Sequence, residues 1–153
     1  MIEMVLAYLI LWSVGFIEYE IYSKEIDNLF LKEENSDLLL ELECCFNDPQ
    51  KSINALNEYI CARDIIYDYK KFGVVFFELL ENIYESENMD INEFAKKSYK
   101  AWKLLPSDIA GEESFWTLSY ADDCLSYGDE IQTRELYKKS FKFYKKDDEF
   151  QFV

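Results

Sequence analysis

The chain contains no histidine. That absence removes the commonest general base, the commonest metal ligand and the one side chain that ordinarily titrates near neutral pH. Only 4 glycines and 2 prolines occur among 153 residues. This is too few for a turn-rich sandwich or barrel, and it favours helices joined by short loops. Gly-rich phosphate loops and GxS-type nucleophile elbows are missing as well. A cysteine nucleophile would have no imidazole to activate it. Carboxylate metal sites on helices pair Glu with a His three residues on, which this chain cannot do. The stretch from Asp122 to Glu130 lacks the alternating ligands and central glycine of an EF-hand loop. With 31 acidic side chains, close carboxylate pairs arise by chance and do not single out a glycosidase. The sequence therefore argues against an enzyme and calls for no cofactor and no metal.

Cysteine is sparse and unpatterned. Cys44, Cys45, Cys61 and Cys124 form no CxxC pair and follow no secretory signal. They read as reduced, small, buried residues of a cytoplasmic protein. The longest apolar run, Met4 to Ile17, is shorter than the roughly 20 residues that cross a bilayer. Glu3 stands where a signal peptide needs a basic residue. A buried first helix is the expectation, with a membrane contact as the alternative.

What the chain does have is apolar and aromatic mass. Half of it is hydrophobic, with 12 Phe, 12 Tyr and 3 Trp. That suffices for one folded domain of this length. Tyrosine also allows aromatic faces at the surface without loss of solubility.

Periodicity points to an all-α fold, an irregular single-domain bundle of seven to eight helices, with solenoid-like helix-pair stacking as the alternative. A first helix over 3–13 stops at Gly15. A second over 17–32 places Tyr19, Tyr22, Ile26, Leu29 and Phe30 on one face. A break is expected at Asn35, and Ser36 or Asp37 caps a helix carrying Leu38, Leu39, Leu42, Cys45 and Phe46. Asp48 and Pro49 open the next, which buries Ile53, Leu56 and Ile60 and ends near Arg63 and Asp64. A central helix over 64–84 repeats Ile65, Tyr69, Phe72, Phe76, Leu79 and Ile83; a strand at Gly73 to Phe77 is the competing local reading. A polar loop covers 85–89. Asp90 and Glu93 form a capping box for a helix that ends before Pro106. Further helices are expected over 112–126, stopped by Gly128, and over 130–146, with a frayed tail beyond Asp147.

Charge is the other strong signal, with a net value of −15. It repels nucleic-acid phosphates and anionic membrane surfaces and steers basic partners inward. Direct nucleic-acid binding and membrane docking are thus not expected. The first 50 residues hold 11 acidic and 2 basic side chains, including Glu18, Glu25 and Asp27. A second dense group comprises Asp108, Glu112, Glu113, Asp122 and Asp123. The dipole explains acids that start a helix, as Glu112 and Glu113 are expected to do. It does not explain Asp122 and Asp123 in a helix interior. Trp116 and Tyr120 stand one helical turn apart, with Asp123 nearly one turn further on. Aromatics beside carboxylates can anchor Lys or Arg side chains. Equally, an aromatic stripe on a helix commonly packs inward. Lys138, Lys139, Lys142, Lys145 and Lys146 complement the C-terminal end of the last helix.

In its short, acidic, Tyr- and Phe-rich helical character, and in segments such as Gly15-Phe16-Ile17, Asp37 to Leu42 and Phe115-Trp116, the chain resembles the small immunity proteins of bacterial toxin–immunity systems, including those of contact-dependent growth inhibition. The resemblance implies a cytoplasmic protein that binds a cognate toxin domain, commonly a nuclease or RNase with a basic groove, and blocks its active site. The expected partner-binding residues are Asp122, Asp123, Glu112, Glu113, Trp116, Tyr120, Glu18, Glu25 and Asp27. The competing reading is a helical scaffold or adaptor with a groove for peptides or proteins.

Overall fold

The computed structural model describes residues 1–32, 36–86 and 89–151, with side chains as far as residue 145. Every regular element among them is helical, so the chain is all-α, as its periodicity predicts. The elements are α1 (Ile2–Ser13), α2 (Tyr19–Lys32), α3 (Asp37–Cys44), α4 (Pro49–Ala62), α5 (Tyr69–Ser86), α6 (Ile91–Leu104), α7 (Ser107–Ala110) and α8 (Glu130–Gln151). Two 3-10 segments, Trp116–Ser119 and Ala121–Tyr127, stand between α7 and α8. They group into two compact units, residues 1–68 and 69–153.

In the first unit, α1 buries nearly its whole length, including Val5, Leu6, Ala7 and Leu9 through Trp12. No helix among the described residues is long and apolar enough to cross a membrane. Gly15 ends α1 as expected, at φ +84°. There the Phe16 N–H reaches back to the Leu11 carbonyl at 2.9 Å and the Gly15 N–H to Trp12 at 3.0 Å. This paired closure satisfies carbonyls the helix would otherwise leave open. Helix α2 turns Tyr22, Ile26 and Leu29 inward, and Tyr22 stacks on Trp12 with centroids 4.6 Å apart. Ser36 caps α3 by accepting the Leu39 N–H at 3.3 Å, and Asp48 caps α4 by accepting that of Lys51 at 3.1 Å. Leu38, Leu39, Leu42, Ile53 and Leu56 complete the core.

In the second unit, α5 and α8 pack around an aromatic cluster. Phe72, Phe76, Phe77, Phe115 and Tyr144 are all buried, with neighbouring rings 5.0–6.0 Å apart. Gly73 sits inside α5 rather than in a strand, and the Tyr144 ring lies against its backbone. Helix α6 adds Ile91, Phe94, Ala95, Ser98 and Ala101, and ends before Pro106.

Several expectations fail for identifiable reasons. The central helix starts at Tyr69, not 64. Asp64 adopts a left-handed φ of +49°, and the Ile65 N–H closes α4 on the Ile60 carbonyl at 3.1 Å. With the Asp64 N–H bonded to the Cys61 carbonyl at 3.4 Å, this closure removes Ile65 from α5, and Ile66 is almost fully exposed. Asp90 precedes α6 without a side-chain cap, and the Glu93 side chain pairs with Lys97 at 3.3 Å. Residues 112–126 do not form an α-helix. Ser119 and Ser126 each donate to the carbonyl three residues back, Trp116 and Asp123, at 2.6 Å. Such short side-chain bonds favour tight turns over an α ladder. Helix α8 runs to Gln151, past the expected end. The thiols are free but not buried: Cys44 and Cys61 are exposed, Cys45 and Cys124 half-buried. The apolar stripes of α3 and α4 are already filled by leucine and isoleucine. Phe46 is likewise exposed, in a left-handed conformation. The expected break at Asn35 and the centre of the loop at 85–89 lie outside the described residues.

The crossing at Gly73 yields a stability prediction. A Cβ there would meet the Tyr144 ring at 2.6 Å. Alanine in a helix interior normally gains up to about 1 kcal/mol over glycine, whereas overpacking costs about 1–3 kcal/mol. Gly73→Ala should therefore lower the urea midpoint, and an unchanged or raised midpoint would contradict the close packing.

Candidate functional site

The expected partner-binding residues separate into three environments. Glu18 and Asp27 are exposed beside α2 and on it, and Glu25 is half-buried. All three belong to the first unit, where Glu20, Asp37, Glu41 and Glu43 are exposed too. Exposed Ile21, Leu31 and Leu40 stand among them. Residues 1–68 carry fourteen acidic and four basic side chains, so this unit holds most of the charge excess. Two ion pairs among the described residues offset it locally, Arg63 with Asp37 at 3.6 Å and the N-terminal ammonium with Glu3 at 3.7 Å.

The second environment is a groove of about 370 Å3 in the second unit. One wall is α8, through Leu136, Lys139, Ser140 and Phe143; the other is the 111–120 segment, through Glu113, Trp116, Thr117 and Tyr120. Two ties hold the walls together. The Tyr144 hydroxyl donates to the Glu113 carbonyl at 3.2 Å, and Thr133 Oγ1 donates to the Ala121 carbonyl at 2.7 Å. The 111–120 segment thus runs antiparallel to α8, with Glu113 at the Phe143 end and Tyr120 at the Leu136 end. The aromatics here are not core. Trp116 is 58% exposed and meets Tyr120 edge-on at 5.5 Å. Glu112 is exposed nearby and, like Glu113, lies in turns before the first 3-10 segment rather than at a helix start. The dipole explanation therefore does not apply to this pair.

Asp122 belongs to a third environment. It lines a different groove, with Lys96, Tyr99, Lys100 and Lys103 of α6. Asp122 and Asp123 fall in the first turn of the second 3-10 segment, not in a helix interior, so a structural reason for their charge exists after all. Asp123 is exposed. Asp122 Oδ1, Ser98 Oγ and the Tyr137 hydroxyl are buried, and none has a hydrogen-bond partner among the described residues. Burial pushes the Asp122 carboxyl above the usual carboxylate range, and the Asp123 charge adds to the effect. Burial likewise pushes the Tyr137 phenol up, helped by the Asp122 charge.

The sequence reading missed the lysine stripe of α6 and the position of Lys139 inside the aromatic groove. The spacing of Lys96, Lys100 and Lys103, four and then three, was available as a signal of one helix face. Lys139 needed the antiparallel pairing of α8 with the 111–120 segment, which no local pattern announces. Among the described residues, no three Cys, Asp or Glu side chains gather so as to hold a metal ion. No protein-family model, no curated protein and no solved structure matches this chain at a significant level.

The Asp122 environment has a signed consequence for pH. A carboxyl whose acid strength falls on folding stabilises the native state only while protonated. Its contribution is lost as pH rises from the unfolded toward the folded value. Asp122→Asn should therefore raise stability at neutral pH, with the gain shrinking as both proteins are titrated into the acidic range. Paired denaturation curves across pH measure this; a gain that grew on acidification would refute the assignment.

Proposed function

We propose that this chain is a binding protein whose acidic first unit covers a cationic surface on a partner protein, in the manner of the immunity proteins it resembles. The partner of that reading is a cognate toxin domain with a basic groove, such as a nuclease, and the protein acts in the cytoplasm by occluding its active site. The supporting observation is the distribution of charge. Exposed carboxylates of Glu18, Glu20, Asp27, Asp37, Glu41 and Glu43 are interleaved with exposed Ile21, Leu31 and Leu40. Carboxylates speed and orient encounter, while apolar side chains supply area that can be desolvated on contact. A surface with acids alone would serve solubility; the apolar side chains among them favour docking.

The experiment isolates the partner from the native cell and measures association at rising salt. Screening shortens from about 10 Å at about 0.1 M to about 3 Å at about 1 M. The association rate should fall steeply over that range. Glu18→Gln, Glu20→Gln and Asp27→Asn combined should slow association several-fold while leaving dissociation little changed. A rate indifferent to both salt and these substitutions would remove the electrostatic reading. A partner lacking any basic face would do the same.

A further inference from the structure

The aromatic groove of the second unit is not explained by an acidic docking surface. Its lining is mixed, and its charged groups are unspent. Glu113 and Lys139 stand on opposite walls, and neither side chain has an ion-pair partner among the described residues. Ser114 and Ser140 also line it, only 4% and 2% exposed. Ser114 holds a left-handed φ of +74°. A serine kept in that conformation costs of order 1 kcal/mol or more, a cost often found at binding sites. The remaining lining is apolar or aromatic: Leu136, Phe143, Trp116 and Tyr120. Concave, largely apolar lining with a few unpaired polar groups is the usual composition of a ligand site. Exposed tryptophan and tyrosine are the side chains most enriched among energetically dominant contacts.

We infer that this groove receives one aromatic side chain from a partner polypeptide, carried on a segment that brings a basic group to Glu113 and an acidic group to Lys139. The inference rests on the binding-protein reading and adds an anchor on the other unit. The two unpaired charges argue for the occupant. A purely cationic segment would leave Lys139 opposed, and a purely acidic one would leave Glu113 opposed. A segment with both charges around an aromatic ring satisfies both walls. The ring enters beside Trp116, between Phe143 and Leu136, where edge-to-face contacts are available.

The test uses the full chain, 15N-labelled, with the capped tripeptide lysyl-phenylalanyl-aspartate as probe. The Trp116 indole signal, assigned with Trp116→Phe, should move on titration. Replacing the probe's phenylalanine by alanine should weaken binding about tenfold or more, the loss expected for an aromatic anchor. Glu113→Gln and Lys139→Met should each weaken it several-fold, and Trp116→Ala should abolish saturable binding. Trp116 is exposed, so the last variant keeps its fold, which far-UV circular dichroism checks. An indole signal that stays fixed at millimolar probe would overturn the inference. So would equal affinity for the alanine probe, or binding that survives Trp116→Ala. The isolated native partner separates the two proposals. Salt-sensitive association unaffected by Trp116→Ala keeps the acidic surface and removes the anchor. Loss of affinity in Trp116→Ala with salt-insensitive association keeps the anchor and removes the acidic surface.

Discussion

The second unit depends on Tyr144. Its ring occupies the space that a side chain at position 73 would need, and so brings α8 against the backbone of α5. The ring also stacks on Phe77 at 5.9 Å and leans on Phe115 at 5.5 Å. Its hydroxyl reaches the Glu113 carbonyl. One side chain therefore joins two helices and fixes the start of the irregular segment that carries Trp116 and Tyr120. The groove exists because α8 is held this close and because the 111–120 segment is tied to it at that point. An aromatic core of stacked and edge-on rings suits the task, since its geometry is more directional than that of packed aliphatics.

The fold class was legible because helical periodicity is redundant. Tyr22, Ile26 and Leu29, or Phe72, Phe76 and Ile83, announce a buried face several times over. Gly15, Ser36 and Asp48 marked their boundaries through chemistry confined to a few neighbouring residues. The differences fell where two local options compete for the same few residues. Asp64 chose a left-handed closure over helix continuation, and Glu93 chose Lys97 over the cap position. In the 112–126 region, serine hydroxyls captured carbonyls three residues back. No apolar pattern records that preference.

The candidate site was legible only in parts. Aromatics beside carboxylates in the sequence did prove to be exposed, at Trp116 and Tyr120. Yet proximity in sequence did not mean a shared surface: Asp122 faces the lysines of α6, while Glu113 shares its groove with Lys139. Charge density along the chain predicts long-range potential well, because the potential sums over many groups. It predicts local pairing poorly, because pairing depends on which faces of distant helices meet. The acidic first unit is an example of the former and the aromatic groove of the latter.

The 3-10 character of residues 116–127 has a dynamic consequence. Such turns have weak internal hydrogen-bond geometry and rarely persist alone. Here the first of them is bracketed by side chains of α8, with Tyr144 bonded to the Glu113 carbonyl ahead of it and Thr133 to the Ala121 carbonyl just after it. Two carbonyls on either side of that turn thus take their hydrogen bonds from a helix they do not belong to. Local opening of that wall therefore requires breaking its bonds to α8, which couples the opening of the two elements.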